Sequence, residues 1–196
     1  MILGIRKAGS ARAMFGVLLI AVMAMLTGCG GESNDKGVQV DSSLTEATAR
    51  ERINTYLSET LQALPPGVGL SRTPDNPNLG ILGAGAATTV PCEDSNVDTD
   101  GAVQLQIRYW VVGIPLGEGG HYFELIRNVW SQRGFLLNPA SDSRWAAVMT
   151  PDQYRLNVQD AGQGDGSLSM GAGSPCFPES GEGTTTPQPT EIRRPS

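Results

Sequence analysis

In Val103-Gln104-Leu105-Gln106-Ile107-Arg108-Tyr109-Trp110-Val111-Val112, the apolar Val103, Leu105, Ile107, Tyr109 and Val111 alternate with Gln104, Gln106, Arg108, Trp110 and Val112. That period of two is the signature of a strand with one buried face, because successive Cβ atoms point to opposite sides of a sheet. The buried set is Val103, Leu105, Ile107, Tyr109 and Val111, which leaves Trp110 on the outward register. After Gly117-Glu118-Gly119-Gly120 the period changes. Phe123, Ile126, Val129 and Trp130 then recur at helical spacing across 121–133, and Gly134 is placed to cap the end.

Upstream, Ser43-Leu44-Thr45-Glu46 has capping-box spacing, and Ile53, Tyr56, Leu57, Leu61 and Leu64 share one helical face before Pro65-Pro66-Gly67 stops the helix. Residues 68–91 hold many Pro, Gly and Asn and no sustained period, so they are expected to be loop with room for one short strand. Downstream, short strands are expected at 135–137 with 145–149, at 154–159 and at 167–171. Ala161-Gly-Gln-Gly-Asp-Gly166 has turn composition and joins the last two as a hairpin. The predicted fold is α+β: two helices packed on one face of a mainly antiparallel sheet of about four strands, closed by one disulfide.

The first 28 residues have a separate character. Arg6, Lys7 and Arg12 precede a 13-residue apolar run from Met14 to Leu26, then small residues. That order is the order of an export signal. The run is shorter than the roughly 18–20 residues that a helix needs to cross the hydrocarbon. Leu26-Thr27-Gly28-Cys29 then resembles the lipobox of bacterial lipoproteins at all four positions. The resemblance implies diacylglycerol on the Cys29 sulfur and cleavage before it, with 1–28 removed. Two acyl chains, at about 0.8 kcal/mol per buried methylene, hold a protein on a membrane without a second anchor. An ordinary secretory signal with a chance cysteine is the plainer alternative. The implied location is the extracytoplasmic face of the cell membrane.

Three of the 14 Lys and Arg residues, and none of the 20 Asp and Glu, fall in the leader. The mature chain therefore has 11 basic against 20 acidic residues, a net of about −9. Nucleic acid and anionic headgroups reward clustered basic charge, so neither is an expected partner. With Cys29 spent on lipid, Cys92 and Cys176 remain, and pairing them is the economical reading in an oxidising compartment. In the loop-entropy model such a bridge restrains the unfolded chain by about 4.5 kcal/mol. A catalytic thiol is the alternative, but Val-Pro-Cys92-Glu-Asp is an acidic setting that disfavours the thiolate.

Residues 29–42 read as a lipidated flexible tether, 43–178 as a single α+β domain and 179–196 as a disordered tail rich in Thr, Pro and Gly. The 103–112 strand, Thr150-Pro151-Asp152-Gln153-Tyr154-Arg155-Leu156 and the closing Leu168-Ser169-Met170-Gly171-Ala172-Gly173-Ser174-Pro175-Cys176 resemble small uncharacterised lipoproteins of actinobacteria, of mycobacterial type. That resemblance brings no activity with it.

Few constellations suggest chemistry. His121, the sole histidine, stands three residues before Glu124, a spacing that could serve an acid/base pair or a metal, yet a zinc site needs three or four ligands. A surface histidine is the favoured reading. Asn96-Val-Asp98-Thr-Asp100-Gly101 resembles the start of a calcium loop, but Ile107 occupies the twelfth position, where a Glu is required. An acidic solvated loop is expected there. Gly80, Gly83 and Gly85 lack the third glycine of a phosphate-binding fingerprint, since Thr88 stands in its place. No serine lies in Gly-x-Ser-x-Gly. Trp110, Trp130 and Trp145 suit core or hairpin packing, with Trp110 the candidate for a ligand surface. The expected role is a non-enzymatic envelope lipoprotein that binds a protein or small ligand, without cofactor or metal. An extracytoplasmic hydrolase or metal-dependent enzyme is the alternative. Intact mass of the protein from its native membrane should show a chain beginning at Cys29 with added diacylglycerol. Cys29→Ser should lose that mass, and an unlipidated wild-type chain would refute the assignment.

Overall fold

The computed structural model describes residues 39–83, 86–92, 101–161 and 165–194. Its elements in chain order are α1 (Glu46–Gln62), β1 (Gly69–Ser71), β2 (Ala87–Pro91), β3 (Ala102–Val112), α2 (Gly119–Gln132), β4 (Leu136–Leu137), β5 (Trp145–Met149), β6 (Arg155–Asp160), β7 (Leu168–Gly173), β8 (Phe177–Pro178) and β9 (Glu191–Arg193). The fold is α+β, with both helices packed on a nine-stranded antiparallel sheet. The sheet is larger than the four strands expected.

The strand read first is the axis of that sheet. β3 is bonded along both edges, to β2 and then β1 on one side and to β8 and then β7 on the other. From β7 the sheet continues through β6 and β5 to β4, and from β1 to β9. Val103, Leu105, Ile107, Tyr109 and Val111 all enter the core, as the alternation predicts. Against them lie Ile53, Tyr56, Leu57 and Leu61 of α1 and Phe123, Ile126, Val129 and Trp130 of α2. The Trp130 indole Nε1 donates to Thr60 Oγ1 at 3.1 Å and so joins the helices inside the core. A buried indole N–H without a partner would oppose the packing that the ring supplies.

The extra strands are two to five residues long and carry no readable period. β1 is Gly-Leu-Ser, β2 Ala-Thr-Thr-Val-Pro, β8 Phe-Pro and β9 Glu-Ile-Arg. β3 supplies the backbone partner for β1, β2 and β8, and β1 that for β9. The predicted hairpin is β6 and β7, paired from Arg155↔Gly173 to Asp160↔Leu168.

The capping box lies two residues later than its sequence spacing suggests. Thr45 is the N-cap: Thr48 N donates to Thr45 Oγ1 and Thr45 N donates to Thr48 Oγ1. Ser43 is occupied elsewhere, its N–H and hydroxyl both donating to Asp41 Oδ1. Glu46 instead pairs with Arg50 and accepts from Gly183 N. α2 ends as expected, with Gly134 at φ +73° and its N–H on Ser131 O.

Cys92 and Cys176 form a disulfide, Cα to Cα 6.1 Å, joining the end of β2 to the segment between β7 and β8. Of the expected tether, 29–38 lie outside the described residues. Within 39–42, Val40 bridges to Cys176 and Asp41 N donates to Cys176 O. The chain thus enters the domain beside the disulfide.

The expected disorder beyond Glu179 does not hold through Arg194. A 3₁₀ turn at Glu179–Gly181 leads to a strap that returns as β9, and Ile192 is buried against the core. The strap is held by Gln188, only 8% exposed. Its Oε1 accepts from Arg50 Nη1 at 2.8 Å, and its Nε2 donates to Asn54 Oδ1 and Tyr109 Oη, each at 2.7 Å. Tyr109 Oη donates onward to Pro189 O. Composition predicts disorder from local sequence, whereas one buried amide joins α1, β3 and the strap. Gln188→Ala removes three hydrogen bonds between the strap and the body of the domain, and urea unfolding should show a loss of about 1–3 kcal/mol. An unchanged midpoint would show that the strap is not bound to the fold.

Candidate functional site

The polar residues of β3 build the other face of the sheet. Three rows cross it by register: Gln106, Gly173 and Arg155; Arg108, Gly171 and Asn157; Trp110, Ser169 and Gln159. On β7, the middle strand of each row, Gly171 and Gly173 raise no side chain, so a trough runs between β3 and β6. At Gly171 a Cβ would stand 2.8 Å from Ile107 O and 3.3 Å from Asn157 Oδ1, so the amide of Asn157 leans over the space that glycine leaves.

Of 68–91, expected to be loop with one short strand, Gly69–Ser71 and Ala87–Pro91 are two strands, and 72–83 between them is loop that is tied down. Trp110 Nε1 donates to Gly80 O at 3.0 Å, Leu82 N to Arg72 O at 2.8 Å and Ala86 N to Gly83 O at 3.0 Å. Gly113 N donates to Asp75 Oδ2 at 2.6 Å. The loop roofs a cavity of about 440 Å³ with Leu82 and Gly83 above and Gln104, Gln106, Arg108, Asn157, Arg155 and Trp145 around it. A second recess of about 370 Å³ adjoins it, sharing Leu82 and Arg108 and adding Trp110, Arg144 and Asp160.

The two recesses are positively charged on an acidic protein. Arg144 Nε lies 3.3 Å from Asp160 Oδ2, so that pair is neutral. Arg108 and Arg155 are exposed and, among the described residues, make no ion pair or hydrogen bond. At physiological ionic strength, charge beyond about 8 Å is largely screened, so these two guanidinium groups set the local field.

The residues singled out in the sequence are only partly brought together. Trp110 and Trp145 line this face, whereas Trp130 is fully buried between the helices. Trp110 acts as a strut, its N–H holding the loop that roofs the cavity. His121 is exposed, its ring edge-on to Tyr122, and Glu124 pairs with Arg127 at 2.9 Å, not with the histidine. Gly80 and Gly83 belong to the roof and Thr88 to β2. Cys29, Gly85 and the acidic run from Asn96 to Asp100 lie outside the described residues. Among those described, no three His, Cys, Asp or Glu gather as a metal site would require.

A second polar cluster had no sequence signal beyond a turn. Asp152 accepts from the Tyr56 hydroxyl, from Arg52 Nε at 2.7 Å and from Thr150 Oγ1 at 2.7 Å. Arg52 also lies 4.4 Å from the centre of the Tyr56 ring. Burial pushes the Asp152 carboxyl up, but the hydrogen bonds from Tyr56, Thr150 and Arg52 outweigh it and hold it below the usual carboxylate range. These three bonds bolt α1 to the β5–β6 turn, where Gln153 takes φ +67°.

No family model, curated protein or solved structure compared with this chain matches it. The site therefore rests on its own geometry.

Next to the bolt, burial and then the Asp152 charge push the Tyr154 hydroxyl up to about 12. A tyrosine that ionises less readily when folded contributes stability that is complete below its unfolded value near 10 and is lost as pH rises toward 12. Urea unfolding at pH 9 and pH 11 should show that loss, and Tyr154→Phe should make it smaller. An equal loss in the variant would refute the assignment to Tyr154.

Proposed function

We propose that this chain is a lipid-anchored, extracytoplasmic binding module of a bacterial cell envelope, held to the membrane through Cys29. Its ligand face is the side of the sheet turned away from the helices. The Leu26-Thr27-Gly28-Cys29 motif supports the anchor. The disulfide is consistent with an oxidising compartment. No helix among the described residues is long and apolar enough to cross a membrane.

One observation carries the binding role: a bonded loop holds open a cavity of about 440 Å³ over the glycine trough. That volume lies in the range of small-molecule sites, which combine apolar walls with a few placed polar groups. Here Leu82, Ile81 and Trp145 supply the apolar part, and two glutamines, Asn157 and two arginines the polar part. A pocket uniting His121 with Glu124 and a further carboxylate would favour a hydrolase or metal-dependent enzyme, whereas Glu124 is paired with Arg127.

The test is thermal melting of the full chain, purified from membranes, against neutral sugars, amino acids, dicarboxylic acids and sugar phosphates. A compound at about 100 times its Kd adds about 2.7 kcal/mol and raises Tm by several degrees. Gln106 is exposed on the trough wall, so Gln106→Trp fills the cavity without entering the core. At least one compound should stabilise the wild type and not this variant. No hit, or hits indifferent to Gln106→Trp, would overturn the reading.

A further inference from the structure

We infer that the cavity takes a small organic anion, a polycarboxylate or a phosphate ester, gripped between Arg108 and Arg155. This inference rests on the binding role proposed above and names its ligand class. Arg108 on β3 and Arg155 on β6 stand two strands and two residues apart by register, a Cα separation of about 12 Å. Gly171 and Gly173 of β7 stand between their strands, and the Asn157 amide borders the gap.

Two exposed guanidinium groups on opposite walls of the trough keep their donors open to a ligand. Among the described residues no carboxylate lines this cavity, and neither arginine is paired. Contrast Arg52, Arg127, Arg133 and Arg144, each held by an acidic partner.

The guanidinium group presents planar paired donors that fit carboxylate and phosphate oxygens bidentately. Gln104, Gln106 and Asn157 add amide donors and acceptors for hydroxyl or amide groups on the ligand. The Trp145 ring and Leu82 cover its carbon skeleton. A membrane surface is not the expected occupant, because anionic headgroups reward a cluster of basic side chains, which two arginines on a chain with a mature net charge of about −9 do not supply.

The experiment is calorimetric titration of the full chain with citrate and with glycerol 3-phosphate at constant ionic strength, glycerol serving as the neutral control. Arg108→Gln and Arg155→Gln remove charge at exposed positions without bonded partners, so unliganded Tm should stay within about 2 °C of wild type. At least one anion should bind, glycerol should not, each single variant should weaken binding at least tenfold, and the double variant should abolish it. Binding unchanged in the double variant would mean counter-ion association only and would overturn the assignment. If neutral compounds bind in a manner blocked by Gln106→Trp while neither anion does, the ligand class falls and the binding face stands. If nothing responds to Gln106→Trp, the binding face itself falls.

Discussion

Everything in this domain depends on β3 being hydrogen-bonded along both edges while its side chains alternate between two unlike environments. Its odd-numbered residues from Val103 to Val111 bury against α1 and α2. Its even-numbered residues, Gln104 to Trp110, then point to the opposite face without choice. A slip of one residue would put Gln106 and Arg108 in the core. The hydrophobic effect acting on one face therefore also places the polar groups of the other, and the cavity is a by-product of the register that the core enforces.

The short strands show how much of the sheet is borrowed from β3. Gly69–Ser71, Phe177–Pro178 and Glu191–Arg193 would not form strands alone, since two or three residues cannot repay the entropy of ordering them. Paired to a fixed neighbour, each gains backbone bonds that are otherwise satisfied only by water. The disulfide holds two chain ends at one end of β3, where Cys92 N donates to Ala102 O. At the other end the strap is held by Gln188, which satisfies Arg50, Asn54 and Tyr109 together.

The candidate site was legible only in part. Trp110 stood out because alternation turns it outward, and it does lie on the cavity face, but as the strut of the roof. Arg108 stood on the same register and drew no attention, because one outward arginine on a strand is ordinary. Its significance comes from Arg155, 47 positions later, and from two glycines between them that read simply as small residues. The loop over the cavity looked featureless because its bonds go from backbone to distant groups, which leave no local pattern. The Asp152 bolt was hidden for the same reason, its partners lying on α1 about 100 positions earlier.

By itself the sequence determined what is local or periodic. It set the faces of both helices, the buried side of β3, the β6–β7 hairpin and an even pair of cysteines once Cys29 is assigned to lipid. These follow from side-chain spacing and turn chemistry, which act over a few residues. Only the tertiary structure decided the nine-strand sheet, the ordered strap, the position of the helix cap and the placing of Arg108 and Arg155 along one cavity. Each is a choice among partners far apart in the chain, and such choices are settled by which backbone and polar groups burial leaves to be satisfied together.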